Sequence, residues 1–390
     1  MRLSMNTRYA VIHASFWGAY GSLWAFIALV LEYNGFASAQ VGVVTSCATL
    51  LSVFLSPAVS SFLDARPSLE NRHGAMALLT LAAALSLLAW LVPLPRPFVL
   101  GACFALIGAF LSSTPPFQNA MAMDANRCGI PVVYGFCRGV GSVSYAAAVL
   151  LLGFVLERHA PTLLLPVFAA LTACGLIAMS GFRLPERPDE AADRPAEHRS
   201  IAAVLRSHPR FALTLLGCMF FFLTHTISNT YMNALVGKAG GTASAVGTSL
   251  AISAVLELPA MTLVSRLQKR FSPGFFLRFA AGAEVVKFLI FYLARSMPLI
   301  YLGHCMQFFQ FAVYAPATVY YVAAALPERD QLKGQSLIYV AGSGLGGALG
   351  NLLGGRLLDR SGIQAALLLG TVSAAASLLT FCLSTREDSR

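Results

Sequence analysis

The sequence predicts an all-α membrane protein: twelve transmembrane helices in two pseudo-symmetric six-helix bundles. Three observations predict it, namely an apolar composition, the number of apolar segments of spanning length, and landmarks that recur half a chain apart. Of 390 residues, 57% are hydrophobic and 11% charged, with a mean hydropathy of +0.70. Soluble domains carry about 25% charged residues. The apolar runs repeat throughout, so the chain reads as one membrane body with thin loops and no separate soluble domain.

A spanning helix needs about 20 mostly apolar residues. Segments meeting that need fall near 9–32, 39–63, 74–93, 98–123, 132–156, 161–181, 210–236, 243–267, 274–294, 298–325, 335–356 and 362–384. Several contain Gly, Pro or polar residues, which spanning helices tolerate where neighbours satisfy the freed backbone groups. Arg2 and Arg8 before an apolar run resemble the start of a signal peptide. The run from Tyr9 to Leu31 exceeds an h-region and has no convincing cleavage site, so it reads as the first span.

The formal net charge of +10 does not point to nucleic acid, because Lys and Arg are dispersed over short loops. Counted by loop, 19 of the 27 basic residues fall on the side that carries both termini and six on the other, with Arg138 and Lys287 inside spans. The positive-inside bias therefore places both termini in the cytoplasm. The eight cysteines lie mostly inside apolar segments, without C-x-x-C or metal-ligand spacing, which excludes a disulfide framework and a zinc site.

The longest polar stretch is rich in Pro, Asp, Glu and Arg. It reads as a cytoplasmic, partly disordered linker at 182–209 between bundles at 1–181 and 210–390, with a short amphipathic helix over Ser200 to Ser207. The bundles share landmarks: Pro57-Ala58 with Pro259-Ala260, Pro116 with Pro316, Gly135 with Gly334, and Leu-Leu-Gly153 with Leu-Leu-Gly354. These keep one order at offsets of 199 to 202, as expected of a transporter built from two parallel repeats.

Against this apolar background the ionisable residues inside spans stand out. A charge at bilayer depth costs roughly 2.5–3.5 kcal/mol on insertion scales, so such side chains face protein or a wet cavity and mark pathways. Glu257 lies in span eight, Glu284 and Lys287 in span nine, His304 in span ten and Arg138 in span five. Glu284 and Lys287, at i and i+3, share a helix face and can also form a purely structural pair. His13 and His225 are weaker candidates. Most of the aromatic residues Trp17, Tyr20, Trp24, Tyr231, Phe308, Tyr314 and Tyr320 read as packing or interface anchors.

Twelve spans, a long central loop and paired halves resemble the major facilitator superfamily over nearly the whole chain. Within it, Phe36-Ala-Ser-Ala-Gln-Val-Gly-Val43, Tyr134-Gly-Phe-Cys-Arg138-Gly-Val-Gly-Ser142, and Lys333-Gly-Gln335 with Gly350-Asn-Leu-Leu-Gly-Gly355 resemble the phenylpropionate permease group, relatives of lactose permease. The superfamily's loop signature after span two is eroded to Asp64-Ala65-Arg66-Pro67 behind Ser60. The resemblance implies that Arg138 contacts the solute, that Glu257 serves both solute and proton, and that Lys287 and His304 stand where the permease has an arginine and a histidine. Two positions depart from it. Asn119 stands where the permease has the carboxylate that partners its arginine, with Asp124 as a candidate replacement, and Gln307 stands where it has a coupling acid. Glu284 has no counterpart.

The expectation is a secondary transporter of a bacterial inner membrane working by alternating access: proton symport of a small organic solute. Arg138, Asn119, Lys287 and Glu257 would bind the solute, and Glu257, His304 and Glu284 would carry the proton. Two cations and the missing span-four acid favour a carboxylate, aromatic ones included; a sugar or nucleoside symporter is an alternative. So is a proton-driven exporter of hydrophobic compounds, or a receptor-like member that binds without transporting. Partners are the solute, protons and the bilayer, not nucleic acid, and oligomeric state stays open. No nucleophile–base pair, P-loop, GxGxxG or metal cluster is evident, so neither enzymatic chemistry nor a bound cofactor is expected, and the proton gradient is the energy source.

Overall fold

A computed structural model describes residues 4–66, 68–95, 97–185 and 201–385, with the side chains of Asp64, Leu258, Ser265, Glu328, Arg329, Leu332 and residues 201–203 left aside. Most of the expected linker, 186–200, lies outside the described residues. All regular structure among the described residues is helical. Backbone N–H and C=O groups in hydrocarbon must be satisfied within their own segment, and the helix does this.

Twelve long helices follow in order. They are α1 Met5–Tyr33, α2 Ser38–Leu63, α3 Asn71–Leu91, α4 Phe98–Arg127, α5 Tyr134–Val155, α6 Pro161–Ser180 and α7 Pro209–Thr230. Then come α8 Ala243–Leu267, α9 Pro273–Leu293, α10 Met297–Ala325, α11 Lys333–Ser361 and α12 Ile363–Ser384. Short helices cover Ile201–Ser207, as expected, and Met232–Lys238. Eleven of the twelve are long and apolar enough to cross a membrane by length and composition. The exception, α9, has 21 residues but carries Arg278, Glu284 and Lys287. Its charge is thus a first sign of where function lies.

Internal contacts divide the chain into two units, Met1–Pro188 with Ala243–Ala254, and Asp189–Thr242 with Val255–Arg390. Helix α8 contributes its first half to unit 1 and the rest to unit 2. Within unit 1, α1 packs on α5 and α6, α3 on α6 and α4, and α2 on α4. Unit 2 repeats the scheme: α7 packs on α11 and α12, and α9 on α12 and α10. The turns after α1 and after Met232–Lys238 also match, each closing on a left-handed glycine, Gly35 at φ 84° and Gly240 at φ 77°.

Small residues set the helix spacing. On α11, Gly342, Gly346 and Gly350 recur every four residues against α7, and a Cβ at Gly346 would lie 2.2 Å from the Met219 carbonyl oxygen. Without a hydrophobic drive between helices in lipid, such close approach supplies the packing. A π turn over Val340–Gly346 re-aims this face.

Two breaks bear on function. In α4 the helix is interrupted at Thr114 and restarts on Pro115–Pro116. In α10 it ends at Cys305, passes through a 3-10 turn at Met306–Phe308 and restarts at Phe311, with Gln310 at φ −102°, ψ −94°. Irregular backbone at membrane depth is tolerated where protein or a cavity receives it. The second break was not expected from the sequence, which shows no proline there.

Candidate functional site

The residues singled out from the sequence fall into two groups, one in each unit. In unit 2 the sites converge. Glu257 on α8 is half-buried, whereas Glu284 and Lys287 on α9 and His304 on α10 are 0%, 1% and 2% exposed. The Lys287 Nζ donates to Gln307 Oε1 at 3.1 Å, and Gln307 Nε2 donates to Glu257 Oε1 at 3.0 Å. One amide from the α10 break thus joins a buried cation to a carboxyl on another helix.

The alternative pairing on α9 does not form. No ion pair joins Glu284 to Lys287, and neither Glu284 carboxyl oxygen has a hydrogen-bond partner among the described residues. The physical reason is the reach of the lysine stem, which carries the ammonium off its own helix face to the Gln307 oxygen. His304 packs its ring on Phe291, centroids 5.0 Å apart, and Lys287 Nζ lies 5.8 Å from the centre of that same ring. His304 and His225 are both within electrostatic range of Lys287. His225 stacks on Phe311 at 4.5 Å and 9°, with Gln310 Nε2 3.5 Å from its Nδ1.

In unit 1, residues spaced by four on two helices meet, His13 and Trp17 on α1 with Tyr134 and Arg138 on α5. Arg138 sits one turn into α5, as expected, with its Cζ 4.0 Å from the Trp17 ring centroid and its Nη1 donating to Ser142 Oγ at 2.9 Å. Tyr134 donates its hydroxyl to Asn119 Oδ1 at 3.0 Å and meets His13 edge-on at 5.9 Å. Tyr9 stacks edge-on with His13 at 4.7 Å and donates to the Gln118 carbonyl oxygen at 2.8 Å. Asp124 accepts from Asn71 Nδ2 at 2.7 Å and lies 3.7 Å from Arg127 Nη1, which ties it to the α3–α4 contact.

His13, a weaker candidate in the sequence, and Gln118, which escaped it, are each 1% exposed, and their ring nitrogens and amide atoms have no partner among the described residues. Gln307 stood out in the sequence only as the loss of an acid, and its bridging role needs coordinates. Of the aromatic residues, Trp24 fills the space at Gly108, Tyr231 donates to the Asn351 carbonyl and Tyr314 stacks on Phe221 at 3.9 Å. These three are packing elements, while Trp17 carries Arg138.

This arrangement can hold a polar solute on Arg138 and Asn119 in one unit, and can hold protons among Glu257, Glu284 and the histidines in the other. The profile of the MFS_1 like family matches residues 6–369. The chain belongs to that family. A maltose permease of Geobacillus stearothermophilus is 26% identical over 374 residues, 95% of this chain and 92% of that protein. An uncharacterized transporter of Bacillus subtilis (strain 168) is 22% identical over 395 residues, covering 100% of this chain and 96% of that protein. Among solved structures, the nucleoside transporter NupG superposes with a TM-score of 0.81 at 16% identity, covering 100% of both chains. An E. coli fucose:proton symporter reaches 0.60 at 17% identity, covering 98% of this chain and 99% of that one.

The protein is accordingly a multi-pass membrane transporter, not an enzyme, and the superfamily resemblance read from its spans and paired halves holds. Unit 1 presents a guanidinium, an indole and an exposed Asn119 amide; unit 2 presents a carboxyl–amide–ammonium chain.

Proposed function

We propose that this transporter is a proton-coupled symporter of a small, polar, ring-containing solute, a sugar or nucleoside, in a bacterial inner membrane with both termini cytoplasmic. The observation that carries the reading is the chain Lys287–Gln307–Glu257. A proton arriving at half-buried Glu257 turns a charge-assisted hydrogen bond into a neutral, weaker one, and the change reaches the buried ammonium through a single amide. Glu257 is then the port for the proton, with Glu284 and His304 beside Lys287 as further carriers.

Arg138 and Asn119 orient the solute in unit 1. A guanidinium stacked on an indole, one helix turn from the tyrosine that bonds the exposed Asn119 amide, combines hydrogen-bond donors with a flat apolar face, which suits a sugar ring or a nucleoside. The names of the maltose permease, the nucleoside transporter and the fucose:proton symporter support the same class. A carboxylate solute is the second reading, favoured by the Arg138 fork, which matches carboxylate geometry. The loop charges support the orientation of the termini.

The test is uptake into proteoliposomes of maltose, fucose, uridine and 3-phenylpropionate, with and without an inward proton gradient. Gradient-stimulated accumulation of maltose, fucose or uridine is expected, and of 3-phenylpropionate under the second reading. Uptake indifferent to the gradient would sink the coupling. Accelerated loss of preloaded solute would make the protein an exporter, and thermal stabilisation by a solute without flux would make it a receptor.

A further inference from the structure

This inference rests on the proton-coupled reading and concerns how the coupling is built. Lys287 is 1% exposed, and its ammonium, with three donors, makes one hydrogen bond among the described residues, to Gln307. Three residues earlier, Glu284 is 0% exposed with both carboxyl oxygens lacking a partner among the described residues. Unused donors and unused acceptors therefore sit at the helix spacing where side chains meet, and they are not joined.

Gln307 keeps them apart. An ammonium accepts no hydrogen bond, so the amide turns its oxygen to Lys287 and its NH2 to Glu257. That second bond is strongest when Glu257 is ionised. A carboxyl with neither donor nor water contact is held at least cost in its neutral form. In this conformation one proton serves two carboxyls, and it rests on Glu284.

We propose that Lys287 alternates between two berths, Gln307 and Glu284, while one proton passes between Glu284 and Glu257. With the ammonium on Gln307, Glu284 is neutral and Glu257 ionised. With the ammonium on Glu284, the proton that Glu284 has lost is on Glu257, and the amide's grip on that carboxyl is relaxed. The ammonium and a single carboxylate balance in both states, so the exchange moves no net charge into hydrocarbon and needs no co-reactant. As Lys287 returns to Gln307, the proton held on Glu257 is stored on buried Glu284. Glu284 is thus the positioning residue for Lys287. The titratable groups acting on that ammonium from four helices are His225 on α7, Glu257 on α8, Glu284 on α9 and His304 on α10.

Infrared spectroscopy of the full chain in liposomes tests this without a solute, through the C=O stretch of protonated glutamate. The wild-type band belonging to Glu284 is identified by its loss in Glu284→Gln. In Gln307→Leu the first berth is gone, Lys287 settles on Glu284, and the band is expected to vanish into carboxylate absorption. In Gln307→Glu a carboxylate captures Lys287, and the Glu284 band is expected to persist. A Glu284 band retained in folded Gln307→Leu, lost in Gln307→Glu, or missing from the wild type would overturn the two-berth arrangement. These outcomes leave wild-type symport intact, whereas gradient-indifferent wild-type uptake sinks the symport reading and leaves the bands unchanged.

Discussion

Arg138 lies over the indole of Trp17, its guanidinium carbon 4.0 Å from the ring centroid, and the contact joins α5 to α1. The two residues are 121 positions apart, so only the α1–α5 packing brings them together. One nitrogen of the fork donates to Ser142 Oγ.

A lysine in that place keeps the charge but loses the planar stack and the fork. Arg138→Lys is expected to weaken solute binding by about 1–3 kcal/mol, roughly 5- to 150-fold, with Trp17→Ala weaker in the same direction. Isothermal titration of the purified protein with the transported solute checks this. Unchanged affinity in both variants would make Arg138 a boundary residue that reaches toward the membrane surface.

The spans were legible because hydrocarbon imposes one condition on every residue of a segment, and a run of about 20 apolar residues records it. The duplication was legible because proline and glycine are constrained by backbone geometry and keep their places, as Pro57 and Pro259 do inside α2 and α8. Among the candidate residues, Glu257, Lys287 and Arg138 announced themselves by the cost of burying charge. Gln307 and Gln118 carry no such signal, since a neutral amide is tolerated in many spans and its meaning depends on which way it turns. The break at Met306–Phe308 has no local cause in the sequence either. The pairing of Glu284 with Lys287, allowed by spacing alone, fails because the lysine stem is long enough to choose a partner on another helix.

Glu257→Gln keeps the shape of the carboxyl and removes its titration. Gradient-driven accumulation is expected to fall to the level of simple equilibration, while exchange of solute across the membrane continues. Counterflow and gradient-driven uptake, measured side by side in proteoliposomes, separate the two. Accumulation at the wild-type level would remove Glu257 from the proton's route.

Gly346 and Gly282 lie in the same unit and make opposite demands. A Cβ at Gly346 meets the Met219 backbone at 2.2 Å, whereas at Gly282 nothing lies within 4 Å. Gly346→Val is expected to force α11 off α7 at a cost of about 1–3 kcal/mol, read as a lower melting temperature in detergent. Gly282→Ala is expected to be neutral or to stabilise by up to about 1 kcal/mol through helix propensity. Equal melting temperatures for the two variants would contradict the close α7–α11 contact.

Orientation can be read from the two ends of α5. This helix has 22 residues, about 33 Å at 1.5 Å per residue, enough to cross the hydrocarbon core. Cys128 lies just before it, in the loop the positive-inside bias assigns to the cytoplasm, and exposed His159 lies just after it. In a background with the other seven cysteines replaced, Cys128 alone is expected to react with a membrane-impermeant maleimide only after the cells are permeabilised. With Cys128 also replaced, His159→Cys is expected to react in intact cells. The two ends of one spanning helix must answer oppositely, so a reversed pattern would invert the topology and place both termini outside.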